Sequence, residues 1–395
     1  MASCVTTGND SQRPSGNFGN ADLQNNAMVL QDWWTFFGDP VLNEMVKTAQ
    51  NQKLTPEETL NQVKDSRAFT QGSLTKESWG GDSTYEKQSL HEDAPLEKQS
   101  ANLMLVAEVA RDYIAYRQAE QNVARADENL KKEKKILSIF EEQKKAAVNY
   151  EQDMQRAQEQ VNAAREGATL SVQHMDEERG RLGILTALPP EEIFQKLSQP
   201  STGLSADLAP VLASSAQDIL RRPDIEAARK AFFEQTGYDP ALFESLIPQE
   251  TLSHFLGISD NALADNTALL EIKPGATVKK LNFSEIEARI DEDQAQYEQA
   301  YKDLRLVVFQ AVMDVERAMI DAAKAREQRI TLEQALRGVK RDLEDIKKHY
   351  ADGKGNLPDV LEAQRNAYEM ETVAIEAHYA EISTQIGVFK ALGVY

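Results

Sequence analysis

Tyr297, Tyr301, Leu304, Val308, Ala311, Val315, Ala318, Ala322, Ala325, Leu332, Leu336, Val339, Leu343, Ile346 and Tyr350 recur three, four or seven residues apart. That spacing puts them on one stripe of a single helix. Ser284-Glu-Ile-Glu287 reads as a capping box just upstream. The predicted rod is about 65 residues, or roughly 100 Å long. A compact domain cannot bury such a rod. It needs partner helices along its length, from this chain or from copies of it.

The rod ends in a stretch suited to reversing it, His349-Tyr-Ala-Asp-Gly-Lys-Gly-Asn-Leu-Pro-Asp359. Gly353 and Gly355 supply the left-handed or strained backbone that stops a helix. Asn356 is placed to cap the next helix, Pro358 fits its first turn and Asp359 suits its positive end. A short loop between long helices forces an antiparallel hairpin, here with its tip at 351–357. Leu357 is an apolar residue at an exposed tip, which invites a partner. The glycines and Asp359 are equally explained by making the turn.

The first half of the chain repeats this plan. Val106, Val109, Tyr113, Tyr116, Val123, Leu130, Leu137 and Phe140 hold the helical period from Leu103 onward. Met154, Ala157, Val161, Ala164, Ala168, Met175, Leu182 and Leu185 carry a return helix, which Leu188-Pro-Pro190 ends. The first tip falls at about 144–152. Stepping back from Asp153 by the spacing of Asp359, Gly353 and Tyr350 meets Ala147 and Lys144. This tip keeps Asp153 but lacks the aromatic and the glycine, and Asn149 is its one good turn former. The two repeats, 32–220 and 221–395, predict a mainly α chain of long antiparallel hairpins that assembles into a pseudo-symmetric ring.

Shorter elements flank the hairpins. Asp39-Pro40 starts a helix whose apolar face holds Leu42, Met45 and Val46, beside Trp33, Trp34 and Phe37. Thr55-Pro-Glu-Glu58 reads as another capping box. Residues 71–100 carry Gly72, Gly80, Gly81 and Pro95 with no sustained alternation, so they read as loop with weak strand at most. Residues 191–220 read as short helices and turns. Arg221-Arg222-Pro223-Asp224 opens a helix, with Pro223 at its first position and Asp224 in its first turn. Between 245 and 283 lie two candidate strands, 246–258 and 269–283. In the second, Leu270, Ile272, Ala276 and Val278 alternate with Lys273, Gly275, Thr277 and Lys279.

Composition narrows the function. The formal net charge is −20, which argues against a nucleic-acid partner. No stretch approaches the ~20 apolar residues of a membrane-spanning helix. His91, His174, His254, His349 and His378 are scattered, without metal-ligand spacing, a phosphate loop or a nucleophile motif. The sequence offers no catalytic residue, cofactor site or metal site.

Several strings together resemble the TolC-type outer-membrane efflux factors, in their lipoprotein branch. They are Trp33-Trp34 with Asp39-Pro40, Ala107-Glu-Val-Ala-Arg-Asp-Tyr113, Asp218 to Ile225, Ala295 to Ala300, Asp314-Val-Glu316, the 350–365 tip and Phe389-Lys-Ala-Leu-Gly393. The resemblance covers about Asp32 to Tyr395. It implies a homotrimer in which each subunit gives four strands to a twelve-stranded outer-membrane barrel. It also implies a periplasmic α-barrel whose tips meet an adaptor protein and, through it, an inner-membrane pump. Gly353, Gly355, Leu357, Asp359, Asn149 and Asp153 are then the candidates for tip shape and adaptor contact. The region about 68–100, where the first barrel hairpin should lie, is short, glycine-rich and charged. The barrel portion is therefore expected to be a small, vestigial β-hairpin. Ala2-Ser3-Cys4 resembles the end of a bacterial lipoprotein signal, although the preceding apolar region is absent. Cys4 is thus a lipidation candidate on a tether of residues 1–31, or else a free thiol in a polar N-terminus.

Two functions stay open at this stage. One is a passive duct at the outer membrane, docked to an adaptor. The other is a pore-less periplasmic scaffold or binding homologue of the same family.

Overall fold

The computed structural model of the chain describes residues 32–70, 94–142, 150–201, 203–204, 208–238, 243–258, 272–293 and 297–393. A 3-10 turn over Trp33–Phe37 leads into α1, Pro40–Gln50, and then α2, Pro56–Thr70. Two long helices follow, α3 at Ala94–Glu142 and α4 at Tyr150–Thr186. A crossing segment holds α5 (Pro190–Leu197), α6 (Ala209–Leu212), a 3-10 turn at Ala216–Arg221, α7 (Pro223–Thr236) and α8 (Leu252–Leu256). The chain closes with a 3-10 turn at Val278–Lys280, α9 (Ser284–Asp293), α10 (Glu298–Ala351) and α11 (Leu357–Leu392).

Helices α3 and α4 pack along each other as one hairpin, and α10 and α11 as a second. The hairpins lie side by side through α3 and α11. One hydrophobic core joins them at one end only. It takes Leu105 to Tyr116 of α3, Leu182 and Leu185 of α4, Ala300 to Ala322 of α10, and Tyr379 to Leu392 of α11. The short helices wrap this end, with Ile193, Val211, Ile225, Phe232 and Leu252 in the same core. The tip at 351–357 therefore points away from it. Toward the tips the buried apolar positions are mostly small, such as Ala119, Ala126, Ala157, Ala168, Ala363 and Ala367, which lets the helices of a hairpin approach closely.

The capping box at α2 forms as expected. Glu58 Oε2 accepts from the Thr55 amide at 2.8 Å, and Thr55 Oγ1 accepts from the Glu58 amide at 3.3 Å. The return helix α4 ends at Ala187, which adopts φ 52° just before Leu188-Pro-Pro190. The expectation at Ser284 is corrected. Asn282 Oδ1 accepts from both the amide and the hydroxyl of Ser284, so the cap sits two residues upstream.

Three further expectations change. The rod is not continuous from Ser284. Helix α10 starts at Glu298 and has 54 residues, about 80 Å. Residues 94–100, expected as loop, are already the start of α3. The candidate strand at 246–258 is not formed, because Thr251 caps a helical turn that Gly257 closes at φ 75°. Leu252, Phe255 and Leu256 all turn into the core, a spacing that an alternating strand cannot satisfy. Thr251 instead makes an isolated antiparallel bridge with Ser215, the one strand-like pairing among the described residues. In the second candidate strand, Val278–Lys280 is a 3-10 turn. The Asn282 amide donates to the Leu246 carbonyl at 3.0 Å, and Lys280 donates to Glu250 Oε1 at 3.2 Å and to the His254 carbonyl at 2.5 Å, so the two segments are tied by scattered bonds rather than by a strand ladder. The degenerate region 71–93 lies outside the described residues.

Candidate docking tip, stem and chain-end hub

The second tip is built as its residues dictate. Gly353 adopts φ 72°, and its amide donates to the Tyr350 carbonyl at 3.0 Å. The Lys354 amide reaches back to the His349 carbonyl at 2.9 Å. These bonds occupy carbonyls that the end of α10 would otherwise leave open. A Cβ on Gly355 would stand 3.2 Å from the Tyr350 amide nitrogen, so the turn is tight there as well. Asn356 is extended and its Oδ1 accepts from the Asp359 amide at 2.9 Å. Pro358 lies in the first turn of α11, and Asp359 stands exposed beside that helix's positive end.

Leu357 is the first residue of α11, and its side chain lies outside the described residues. At the first tip, Asn149 lies outside them too, and Asp153 is placed on α4 without its side chain. Cys4 also lies outside them. The structure thus brings Gly353, Gly355 and Asp359 together on one exposed turn. No group of His, Cys, Asp or Glu among the described residues could hold a metal ion. An exposed, rigidly capped polar turn can dock a partner; it carries no arrangement for bond-breaking chemistry.

A polar joint holds the two hairpins together between tip and core. Arg125 of α3 donates to the Tyr368 carbonyl at 2.8 Å, to Thr372 Oγ1 at 3.0 Å and to Glu371 Oε2 at 3.1 Å. Its guanidinium lies 5.0 Å from the Tyr368 ring centroid. Lys340 of α10 meets the other oxygen of Glu371 at 2.7 Å. Partial burial opposes ionisation of Glu371, but Lys340 and Arg125 outweigh it and hold its pKa below the usual carboxylate value. Nearer the tip, Arg365 faces the buried Glu133 at 3.8 Å.

At the opposite end, the motif residues gather into one hub. Trp33 packs edge-on against Trp34 at 5.9 Å and stacks on Phe389. Asp39 caps α1 through the Val41 amide at 2.9 Å, with Pro40 at the first helical position, and accepts from Ser201 at 2.6 Å. Arg222 is buried. It forks onto Asp224 at 3.1 and 2.8 Å, meets Asp314 at 3.2 Å and donates to the Ala391 carbonyl at 2.6 Å. Pro223 is the buried first residue of α7, and Arg221 points to solvent, where it meets Asp218 at 3.4 Å. The string 221–224 therefore pins α7 to α10 and α11.

Two arginines escaped the sequence reading. Arg125 is one. The other, Arg117, is buried and binds Tyr113 Oη at 2.9 Å and the carbonyls of Leu197 and Gln199 at 3.1 and 2.8 Å. The available signal was an arginine set beside the apolar positions Tyr113 and Tyr116.

Residues 216–394 match the family model described as outer membrane efflux protein. A relative named pyoverdine export outer membrane protein OpmQ, from Pseudomonas putida, is 23% identical over 322 residues, which cover 80% of this chain and 67% of that protein. The toluene efflux pump outer membrane protein TtgF, also of Pseudomonas putida, is 24% identical over 315 residues, covering 75% and 62%. The chain thus spans about two thirds of the length of these curated relatives. Among solved structures, one of CusC, described in terms of folding and transmembrane channel formation, superposes with a TM-score of 0.67 at 17% identity. That match covers 91% of this chain and 97% of the other, a likeness of fold.

Proposed function

We propose that this chain, as a member of the outer membrane efflux protein family, is the outer-membrane duct component of a tripartite efflux or secretion system. One observation carries the reading. From residue 323 to 351, over about 40 Å of α10, no side chain is buried. A helix so exposed in one chain is stable as part of a wall that neighbouring copies complete. Three copies would supply six hairpins, close a ring and leave the tips free at the periplasmic end. The tip around Gly353, Gly355, Leu357 and Asp359 then meets a periplasmic adaptor and, through it, an inner-membrane pump. Cargo moves through the duct without chemistry.

The test is the assembly state of the full chain, extracted in mild detergent, by light scattering and negative-stain imaging. Trimeric hollow cylinders are expected. A monodisperse monomer would sink the proposal.

A second reading, the pore-less periplasmic homologue, is favoured by the flanks of 245–283. Leu246, Ile247, Leu252, Phe255, Leu256 and Ile258 are all buried in the core. The interval 259–271 between the described flanks is shorter than the ~18–22 residues that two membrane-crossing strands need. Planar-bilayer conductance separates the readings: stable channel openings support the duct, and silence with intact trimers supports the scaffold.

A further inference from the structure

The four long helices lie in a fixed order. Helix α4 packs on α3, α3 on α11 and α11 on α10, so α4 and α10 are the outer edges of the layer. Three ion pairs set the relative heights across it. Arg181 of α4 meets Asp112 of α3 at 2.8 Å. Thirteen residues further along α3, Arg125 meets Glu371 of α11 at 3.1 Å, and Lys340 of α10 meets the same carboxylate at 2.7 Å. Helix α4 runs antiparallel to α3, so the same thirteen-residue rise leads from Arg181 to Ala168. Ala168 on one edge and Lys340 on the other therefore stand at one level.

Each edge presents one stripe to the outside. On α4, Ala157, Val161 and Ala168 are buried, and Glu159, Ala163, Glu166, Leu170 and Gln173 form the opposite, exposed face. On α10, Leu332, Leu336 and Leu343 are half-buried, and Gln334, Gly338, Arg341, Asp345 and Lys348 are turned away from them. Leu170 is 57% exposed, a large apolar side chain left in water. Gly338 offers the reverse shape, since a Cβ placed there would meet nothing within 4 Å.

The two stripes match at equal height. A ring of copies about an axis along the rods brings α10 of one copy against α4 of the next without a change of level. Counted from the Ala168–Lys340 level, Leu170 falls on Gly338. Glu166 falls within one residue of Arg341, Glu159 within one of Lys348 and Gln173 within one of Gln334. The leucine meets an open glycine, both acids meet bases, and amide meets amide. Sliding α4 about one turn toward its neighbour's tip would instead set Glu166 against Asp345.

We propose that α10 of one copy docks antiparallel on α4 of the next in this register, with Leu170 seated on Gly338 and with Glu166 and Glu159 paired to Arg341 and Lys348. This seam is where the ring of the duct reading closes, and it rests on that reading. The contact is heterologous: it joins two different edges, so it propagates around a ring and does not end at a dimer. Seating Leu170 takes its side chain out of water and covers a side of α10 that its own chain leaves bare.

The test is disulfide cross-linking of the full chain in mild detergent, with Cys4→Ser removing the one cysteine of the sequence. Leu170→Cys combined with Gly338→Cys should give cross-linked dimers and trimers on a non-reducing gel, because the two Cβ atoms face each other across the seam. Each single variant should run as a monomer. Leu170→Cys combined with Thr331→Cys, displaced by about two turns or roughly 10 Å, should not cross-link. Charge reversal is the second readout: Glu166→Arg should lower the trimer fraction in light scattering, and Arg341→Glu in the same chain should restore it. Trimers that fail to cross-link through 170 and 338, that cross-link equally through 170 and 331, or that cross-link through Leu170→Cys alone overturn the seam and leave the duct reading standing. A trimer untouched by Glu166→Arg, or not restored by Arg341→Glu, overturns the register as well. An unaltered chain that stays monomeric overturns the duct reading and the seam with it.

Discussion

The ring of Phe389 lies flat on the indole of Trp33, with centroids 4.8 Å apart and planes 13° apart. Both side chains are buried, and Phe36 stacks on the same ring at 6.0 Å. The contact joins the first described turn to the last helix, so the two ends of the described chain hold each other. Trp33→Ala should cost about 3–5 kcal/mol, through lost burial and the cavity left behind. The readout is a lower urea midpoint at unchanged slope. A shift worth less than ~1 kcal/mol would show that the pair is not a keystone.

Gly393 closes α11 at φ 72°, and a Cβ there would stand 2.5 Å from Arg222 Cγ and 3.0 Å from its Cα. Gly393→Ala should therefore destabilise by about 2 kcal/mol or more, combining backbone strain with a clash against a pinned arginine. Gly353 has the same φ but open space around it. Gly353→Ala should cost only about 1 kcal/mol. Equal thermal shifts for the two variants would contradict this contrast.

Arg222→Lys keeps the charge but cannot fork onto Asp224 while reaching the Ala391 carbonyl. It should behave much like Arg222→Gln in thermal unfolding. Full retention of stability by the lysine variant would mean that charge alone suffices.

Acid should weaken the joint between the hairpins. The pKa of Glu371 is depressed in the folded chain, so its contribution is present above the unfolded value near 4.5 and is lost as pH falls through the folded value. The stability gap between wild type and Glu371→Gln should close between about pH 5 and pH 3. A gap that is constant over that range would argue that Lys340 and Arg125 do not hold the carboxylate.

Leu357→Asp should weaken capture of the adaptor without lowering helix content by circular dichroism. Asn356 and Asp359 make the turn independently of that side chain. Undiminished capture would remove Leu357 from the docking surface.

Much of the hairpin around Asn356 was legible in the sequence, because its signals are local. A glycine in left-handed conformation, a capping amide and a proline in the first turn act within one or two turns of helix. Residues 246–258 were not legible in the same way. A short apolar run reads alike as strand or helix until its burial partners are known. Here Leu252, Phe255 and Leu256 face a core assembled from the far ends of the chain. The same limit hid Arg117 and Arg125, whose long-range partners lie 80 to 247 residues away. The sequence by itself determined the rods, their caps and the need for neighbours, since apolar period and turn chemistry are properties of contiguous residues. Tertiary structure alone decided which charges are buried together and where the rods stop being supported, because desolvation depends on what packs against a side chain.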